Sequence, residues 1–425
     1  MTAHLRFVIK LFEILSGSLS RTYSHLKDKA NFQSIENSGA PSIVCVSHDA
    51  IFHGAQLLLL HINQVLKERF GFRVTTILLA GGPLREQFSS AGKVVDFTNP
   101  PWHMPASSEV MRARQLEIKR LYLEGARYAI CNTTVSGSIL HMFKNEGFQV
   151  ISLIHELPNL IREFQLEPAV KEIGRWADRV VFPAEFVRDR FLPISELNAS
   201  RAVIRPQGLY RSNPYRNDKA DARTNLIAAL HIGSNARIVV AAGPCDRRKG
   251  VDIFCQVAEL VVRSSPEVHF VWIGEDGTDM GSSFKAWVES VGLNRNVHFT
   301  GVVKDPDLYL RYIAAADIYL ITSREDPYPS VVLDAMDVGV PVVGFENAGG
   351  FAELLEEGAG ILVPYEDRDA MAAALNTLLV DSDRATRMGV TGQHIIDTRF
   401  DFQDYVHDLL RYVGYPISLS RDNDA

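Results

Sequence analysis

Short runs rich in β-branched residues recur along the whole chain and alternate with longer stretches of helical spacing. Strands joined through helices run parallel, because only a crossover of a dozen or more residues returns a chain to a parallel neighbour. A parallel sheet needs helices on both faces, so the class is α/β. In the first half the runs stand at Ile43 to Val46, Val74 to Leu79, Arg127 to Cys131, Val150 to Ile154, Arg179 to Phe182 and Ala202 to Arg205. The second half restarts the pattern at Arg237 to Ala242, His269 to Ile273, Val297 to Thr300, Ile318 to Ile321, Pro341 to Gly344 and Gly360 to Val363. Each set supplies one doubly wound, Rossmann-like domain, and a length of 425 residues has room for both. Between them GLYRSNPYRNDKADART, Gly208 to Thr224, is polar and turn-rich and reads as a linker or surface excursion. This places a first domain at 1–215, a second at 216–399, and a closing segment at 400–425. In that last segment Phe402, Tyr405, Leu409 and Tyr412 form a helical stripe that needs a surface to cover, so the helix is expected to pack back across the domains.

Composition narrows the function. The formal charge of −7 repels a nucleic-acid backbone, so no nucleic-acid partner is expected, although a local basic pocket stays allowed. Cys45, Cys131, Cys245 and Cys255 are scattered without a C-x-x-C pair, which suggests neither a zinc site nor a disulfide framework and fits a reducing cytosol. Leu5 to Leu15 is too short to span a bilayer and lacks a signal-peptide cleavage site, so a cytoplasmic chain is expected. A packing helix is the reading favoured there. Contact with the inner face of a membrane, with Arg6 and Lys10 toward headgroups, is the other.

Two facing open sheets leave a crevice at the carboxyl ends of their strands, where ligands of such folds bind. Three runs at strand ends carry the chemistry. In TSREDPYPSVVLDAM, Thr322 to Met336, Asp326 stands in the loop and Asp334 on the following helix, with seven residues between them. Carboxylates so placed suit sugar or ribose, since each accepts charge-assisted hydrogen bonds worth about 1.5–3 kcal/mol from hydroxyls. Helix capping and a solvated acidic face compete with that reading. VVAAGPCDRRKGVD, Val239 to Asp252, puts Arg247, Arg248 and Lys249 in a βα loop, where planar forks and a point charge suit a diphosphate; a solvated basic loop is the alternative. In FENAGGFAEL, Phe345 to Leu354, Gly349 and Gly350 precede a helix and either let a phosphate approach or only shape a turn. The first βα turn, SHDAIFHGAQ, lacks G-x-G-x-x-G, which counts against a nicotinamide dehydrogenase. The triplets Asp305-Pro306-Asp307, Asp381-Ser382-Asp383 and Asp422-Asn423-Asp424 do not close a strand beside the basic loop, so no metal is expected.

These runs stand in the order found in the retaining GT-B glycosyltransferases of family 4, which the chain resembles over most of its length. The resemblance rests on GPCDRRKGVD, VHFVWIGE, VHFTGVV, AADIYLITSREDPYPSVVLDAMDVGVPVVGF and GG-x-x-E at Gly349 to Glu353, with SHDAIFHGAQ, LIHELP and RPQGLY in the first half. It implies two facing domains with an interdomain cleft. By resemblance Asp326 contacts the donor sugar and Asp334 the ribose, where the family usually has glutamates, and Glu325 takes part if the loop is shifted. Lys249 matches the family's diphosphate lysine. The position that often carries arginine after the strand-end glycine is Pro244, which leaves Arg248 or Arg247 to substitute. The pair His155-Glu156 matches a place where the family puts a histidine near the donor; from the residues alone, a buried structural histidine is equally open.

The function expected is transfer of a sugar, with retention, from a nucleotide diphosphate sugar to an acceptor hydroxyl, in glycan or envelope polysaccharide synthesis. The nucleotide sugar is a substrate and no cofactor is expected. The acceptor, a glycan or a lipid-linked molecule, enters past His48 to Gln56, where Gly54 allows close approach. Two readings compete: an epimerase or hydrolase of nucleotide sugars, and a non-catalytic scaffold that binds them during polysaccharide assembly.

Overall fold

The structure is a computed structural model that describes residues 39–416. The segment 5–15, the C-terminal tail and the triplet at Asp422 lie outside the described residues. Seven parallel strands form the first sheet: β1 (Ser42–Ser47), β2 (Arg73–Leu78), β3 (Lys93–Asp96), β4 (Tyr128–Asn132), β5 (Gln149–Leu153), β6 (Arg179–Phe182) and β7 (Ala202–Ile204), in the order 3-2-1-4-5-6-7. The second sheet has six: β8 (Arg237–Ala242), β9 (Val268–Ile273), β10 (Val297–Phe299), β11 (Ile318–Ile321), β12 (Val342–Phe345) and β13 (Gly360–Val363), in the order 10-9-8-11-12-13. Strand order reverses once in each sheet, between β1 and β4 and between β8 and β11, where Cys45 pairs with Ile130 and Val240 with Tyr319. Helices on either side diverge at such a switch point and open a crevice at the carboxyl ends.

Twelve runs read as strands are all strands, within a residue or so at each end. The thirteenth, β3, carries no such signal, because KVVD is four residues long at the sheet edge and only Val95 is buried.

The segment after Gly208, expected as a linker or surface excursion, runs between the two sheets and is pinned at several points. Asn213 is buried; its backbone N–H donates to Asp337 Oδ2 at 2.7 Å and its side chain to the Leu310 carbonyl at 2.9 Å. Arg216 forks onto Asp397 at 2.7 and 2.6 Å. The helix Ala220–Leu230 begins inside the stretch read as linker. Polarity here reflects pairing with the second sheet's helices at Asn213 and Arg216, while Ser212, Pro214, Asn217, Asp218, Asp221 and Thr224 are exposed.

The last helix, Phe402–Tyr412, is capped by Asp401, whose side chain accepts from the Asp404 N–H. It packs back as expected: Phe402, Tyr405, Val406, Leu409 and Leu410 join the cluster of the first sheet's helix Gly54–Glu68, although the helix follows the second sheet in sequence. Arg205 at the end of β7 ties it down through Asp408 at 2.7 Å. Among the described residues no helix is long and apolar enough to cross a membrane.

Candidate active site

The loops after β8 and β11, the two strands that flank the second switch point, lock onto one another. Gly250 has φ +73°, and a Cβ there would lie 2.1 Å from the Thr322 carbonyl oxygen, so only glycine lets the basic loop approach β11 so closely. Asp246 accepts the Lys249 backbone N–H at 2.7 Å, and the Thr322 hydroxyl donates to the Lys249 carbonyl at 2.9 Å. So held, Lys249 Nζ donates to Asp326 Oδ2 at 2.5 Å, and the Ser323 hydroxyl donates to the same oxygen at 3.2 Å. Arg248 donates to the Glu325 carbonyl at 3.1 Å and forms no ion pair among the described residues, while Arg247 is exposed. Arg324, which the sequence did not single out, forks onto Asp252 at 2.8 and 2.7 Å and donates to the Arg247 carbonyl at 2.7 Å. It pins the basic loop to the acidic one.

The three acids occupy different environments. Asp326 is buried against Lys249. Glu325 points to the first sheet, where the Asn159 side chain donates to its carboxylate, and burial raises its pKa. Asp334, on the helix Ser330–Asp337, is 7% exposed and accepts from the Tyr309 hydroxyl at 2.7 Å. Burial pushes its pKa up to about 6, against the Tyr309 hydrogen bond and the Arg211 charge, which lower it. Burial, and after it the charges of Asp326 and Asp334, push the pKa of the Tyr319 phenol up.

Gly349 and Gly350 are explained first by packing. A Cβ on Gly349 would meet the Asp326 carbonyl oxygen at 1.8 Å, and the Asp326 N–H donates to Ala348 O at 2.8 Å. The Gly350 N–H is engaged with Pro327 O at 2.9 Å, and the α-helix that follows is only Ala352–Leu354. The two glycines therefore seat the acidic loop. Of the aspartate triplets within the described residues, Asp305 and Asp381 cap helices and Asp307 pairs with Arg311.

On the first sheet's side, His155 follows β5 and its Nε2 meets Asn132 Oδ1 at 3.0 Å. Burial lowers its pKa, which keeps the ring neutral at pH 7. Glu156 Oε2 accepts from the Thr134 N–H and hydroxyl at 3.0 and 2.7 Å and from the His155 N–H at 3.2 Å, so one oxygen fixes the loop that carries the histidine. Gly54 opens the helix Gly54–Glu68, and a Cβ added to it would meet nothing within 4 Å, so a side chain would fit there. His53, next to it, is solvent-accessible, and its pKa is lowered by desolvation and by the neighbouring His48, Arg248 and Lys249, against the Asp49 charge, which raises it.

Two facing doubly wound sheets with charged loops at the switch points are the GT-B arrangement. Solved structures agree on the fold: Anabaena HepE in complex with UDP superposes with a TM-score of 0.74 at 20% identity, covering 88% of this chain and 98% of that one. WaaG, a glycosyltransferase involved in lipopolysaccharide biosynthesis, gives 0.67 at 17% identity, covering 88% of this chain and 100% of that one. Residues 236–381 match the family model described as Glycosyl transferases group 1, so the resemblance drawn from the motifs is borne out. Curated relatives include a GDP-mannose-dependent alpha-(1-6)-phosphatidylinositol monomannoside mannosyltransferase of Mycolicibacterium smegmatis, 28% identical over 53% of this chain and 59% of the relative. Another is the lipopolysaccharide core biosynthesis glycosyltransferase LpsE of Rhizobium meliloti, 27% identical over 41% of this chain and 48% of the relative. The chain spans about half the length of the curated relatives it matches.

Proposed function

We propose that the chain is a glycosyltransferase that moves a sugar from a nucleotide diphosphate sugar to an acceptor hydroxyl with retention, in the synthesis of a glycolipid or polysaccharide. The observation that carries this reading is the Lys249–Asp326 contact beside the unpaired charge of Arg248, at the strand ends of the switch point. A leaving diphosphate gains negative charge as the anomeric carbon–oxygen bond breaks, and fixed cations stabilise it more in the transition state than in the ground state. Lys249 then bridges the diphosphate and Asp326, and Asp326 orients a donor hydroxyl while facing the positive charge that develops on the sugar ring. Asp334 holds ribose hydroxyls, and the neutral imidazole of His155 offers hydrogen bonds without adding charge. Protein cations take the part that a divalent metal plays elsewhere, so turnover needs no metal. The nucleotide-sugar donor is supported by the HepE complexes with UDP and UDP-glucose, and by the GDP-mannose dependence of the mycolicibacterial relative. A membrane glycolipid acceptor is supported by that same relative. A thermal-shift screen of UDP, GDP, UDP-glucose and GDP-mannose in EDTA tests the reading, because a ligand of the folded state raises stability by RT ln(1 + [L]/Kd). Stabilisation by a nucleotide sugar, followed by its turnover, is the expected result; no stabilisation by any nucleotide refutes it.

A further inference from the structure

The first sheet has a switch point of its own between β1 and β4, and the donor reading uses only its margin. The loop after β1 and the residue after β4 meet there in a polar cluster. Asp49 Oδ1 accepts from the Ile51 N–H at 3.1 Å and from Gln56 Nε2 at 2.5 Å, whereas Oδ2 accepts no hydrogen bond among the described residues. Oδ2 lies 3.4 Å from His48 Nε2, and the carboxylate is 14% exposed. Both ring nitrogens of His48 are engaged, Nε2 with Gln56 at 3.0 Å and Nδ1 with the Thr133 hydroxyl at 3.0 Å. Thr133 holds that position with φ +71°, a conformation that a β-branched residue adopts only where its surroundings force it. Gln56 Oε1 is buried without a partner, an acceptor left over in a cluster that is otherwise satisfied. The loop itself is clamped, since Ala50 bonds through its N–H to Gly81 O at 3.2 Å and through its carbonyl to the Leu84 N–H at 2.7 Å.

We propose that Asp49 binds the acceptor hydroxyl through Oδ2, and that the acceptor presents a neutral polyhydroxyl ring, a sugar or a cyclitol, at this switch point. This inference rests on the glycosyl-transfer reading above. A carboxylate accepts a hydrogen bond from a hydroxyl and repels a phosphate, and residues 48–53, 132–134 and 155–157, at the carboxyl ends of β1, β4 and β5, contain no lysine or arginine to offset that repulsion. Trp102 stands edge-on to His48, with ring centroids 6.4 Å apart, and supplies an apolar wall for the face of a ring. The crevice thus divides by charge: cations of the second sheet take the anionic diphosphate, and the carboxylate of the first takes an uncharged hydroxyl.

The test uses the full chain with whichever of UDP-glucose or GDP-mannose stabilises it, and compares transfer to methyl α-mannoside and myo-inositol with transfer to mannose 6-phosphate and inositol 1-phosphate. The neutral acceptors should be preferred by about tenfold or more, and Asp49→Asn should raise their KM about tenfold or more while the donor KM stays within about twofold. Preference for the phosphorylated acceptors, or an Asp49→Asn variant with an unchanged acceptor KM, overturns the inference and leaves the donor reading standing. A wild-type chain that neither binds nor turns over a nucleotide sugar overturns both. Should the variant fail to fold, the acceptor preference of the wild type decides alone.

Discussion

Replacing Asp334 by asparagine should stabilise the protein at neutral pH and weaken its hold on the nucleotide. The carboxyl is buried, and its pKa rises from an ordinary 3.8 to about 6 because burial outweighs the Tyr309 hydrogen bond and the Arg211 charge. A raised pKa means that the folded state binds the proton more tightly than the unfolded one. The cost is absent below about pH 4, grows as pH rises toward 6, and is complete above it. The shift corresponds to roughly 3 kcal/mol at pH 7.5. Asparagine keeps an oxygen for the Tyr309 hydroxyl and carries no charge, so the variant escapes this cost. Urea denaturation of both proteins at pH 4.5 and pH 7.5 reads the difference. About 1 kcal/mol of the cost is already present at pH 4.5, so the variant should gain about 2 kcal/mol relative to wild type between the two pH values, with most of the gain between pH 4.5 and 6.5. At the same time the KM for the nucleotide sugar should rise, because ribose contacts are equal in ground and transition states. A stability difference that does not change with pH would refute the claim that the buried carboxylate is held at a cost for its ligand.

Asp326→Asn should mainly lower kcat with a smaller change in donor affinity, and Glu325→Gln, which loses a contact with Asn159, should leave turnover largely intact; steady-state kinetics of both variants decide the register of the loop, and the reverse pattern would shift it by one residue. Gly349→Ala brings a Cβ to 1.8 Å from the Asp326 carbonyl oxygen, so the acidic loop must move; Tm and kcat should both fall, and an unchanged kcat would show that the loop position does not matter for turnover. Leu409→Ala empties a fully buried site under the last helix and should cost about 2–5 kcal/mol in urea denaturation; a loss below about 1 kcal/mol would show that this helix is not part of the core.

The strands are legible in the sequence because a parallel sheet buried on both faces forces continuous apolar runs, as at Ile43 to Val46 and Ile318 to Ile321. Four-residue β3 lies at the edge with mixed burial and leaves no such run. The segment after Gly208 is only partly legible, for a related reason. Asn213 and Arg216 are polar because Asp337 and Asp397 wait for them more than a hundred residues later, and composition alone cannot tell a distant partner from water. The candidate site is legible as two loops, one basic and one acidic, each at a strand end. Their meeting is not: Lys249 and Asp326 are 77 residues apart, and it takes the β8–β11 pairing to bring them to 2.5 Å. Arg324 and Tyr309 stay hidden because their work, fixing a loop and holding a carboxylate, leaves no spacing pattern. Gly349 and Gly350 can be seen to mark a close approach, but what approaches is the backbone of Asp326 and Pro327.

The central claim is that the basic loop holds a nucleoside diphosphate without a metal. Isothermal titration of UDP and GDP into the protein in EDTA, repeated with Lys249→Ala, tests it most directly. Removing one charge-assisted contact to a diphosphate costs about 1.5–3 kcal/mol, so the variant should bind the preferred nucleotide roughly 10- to 150-fold more weakly than wild type. Binding that appears only when Mg²⁺ or Mn²⁺ is added, or equal affinity in wild type and Lys249→Ala, would contradict the account.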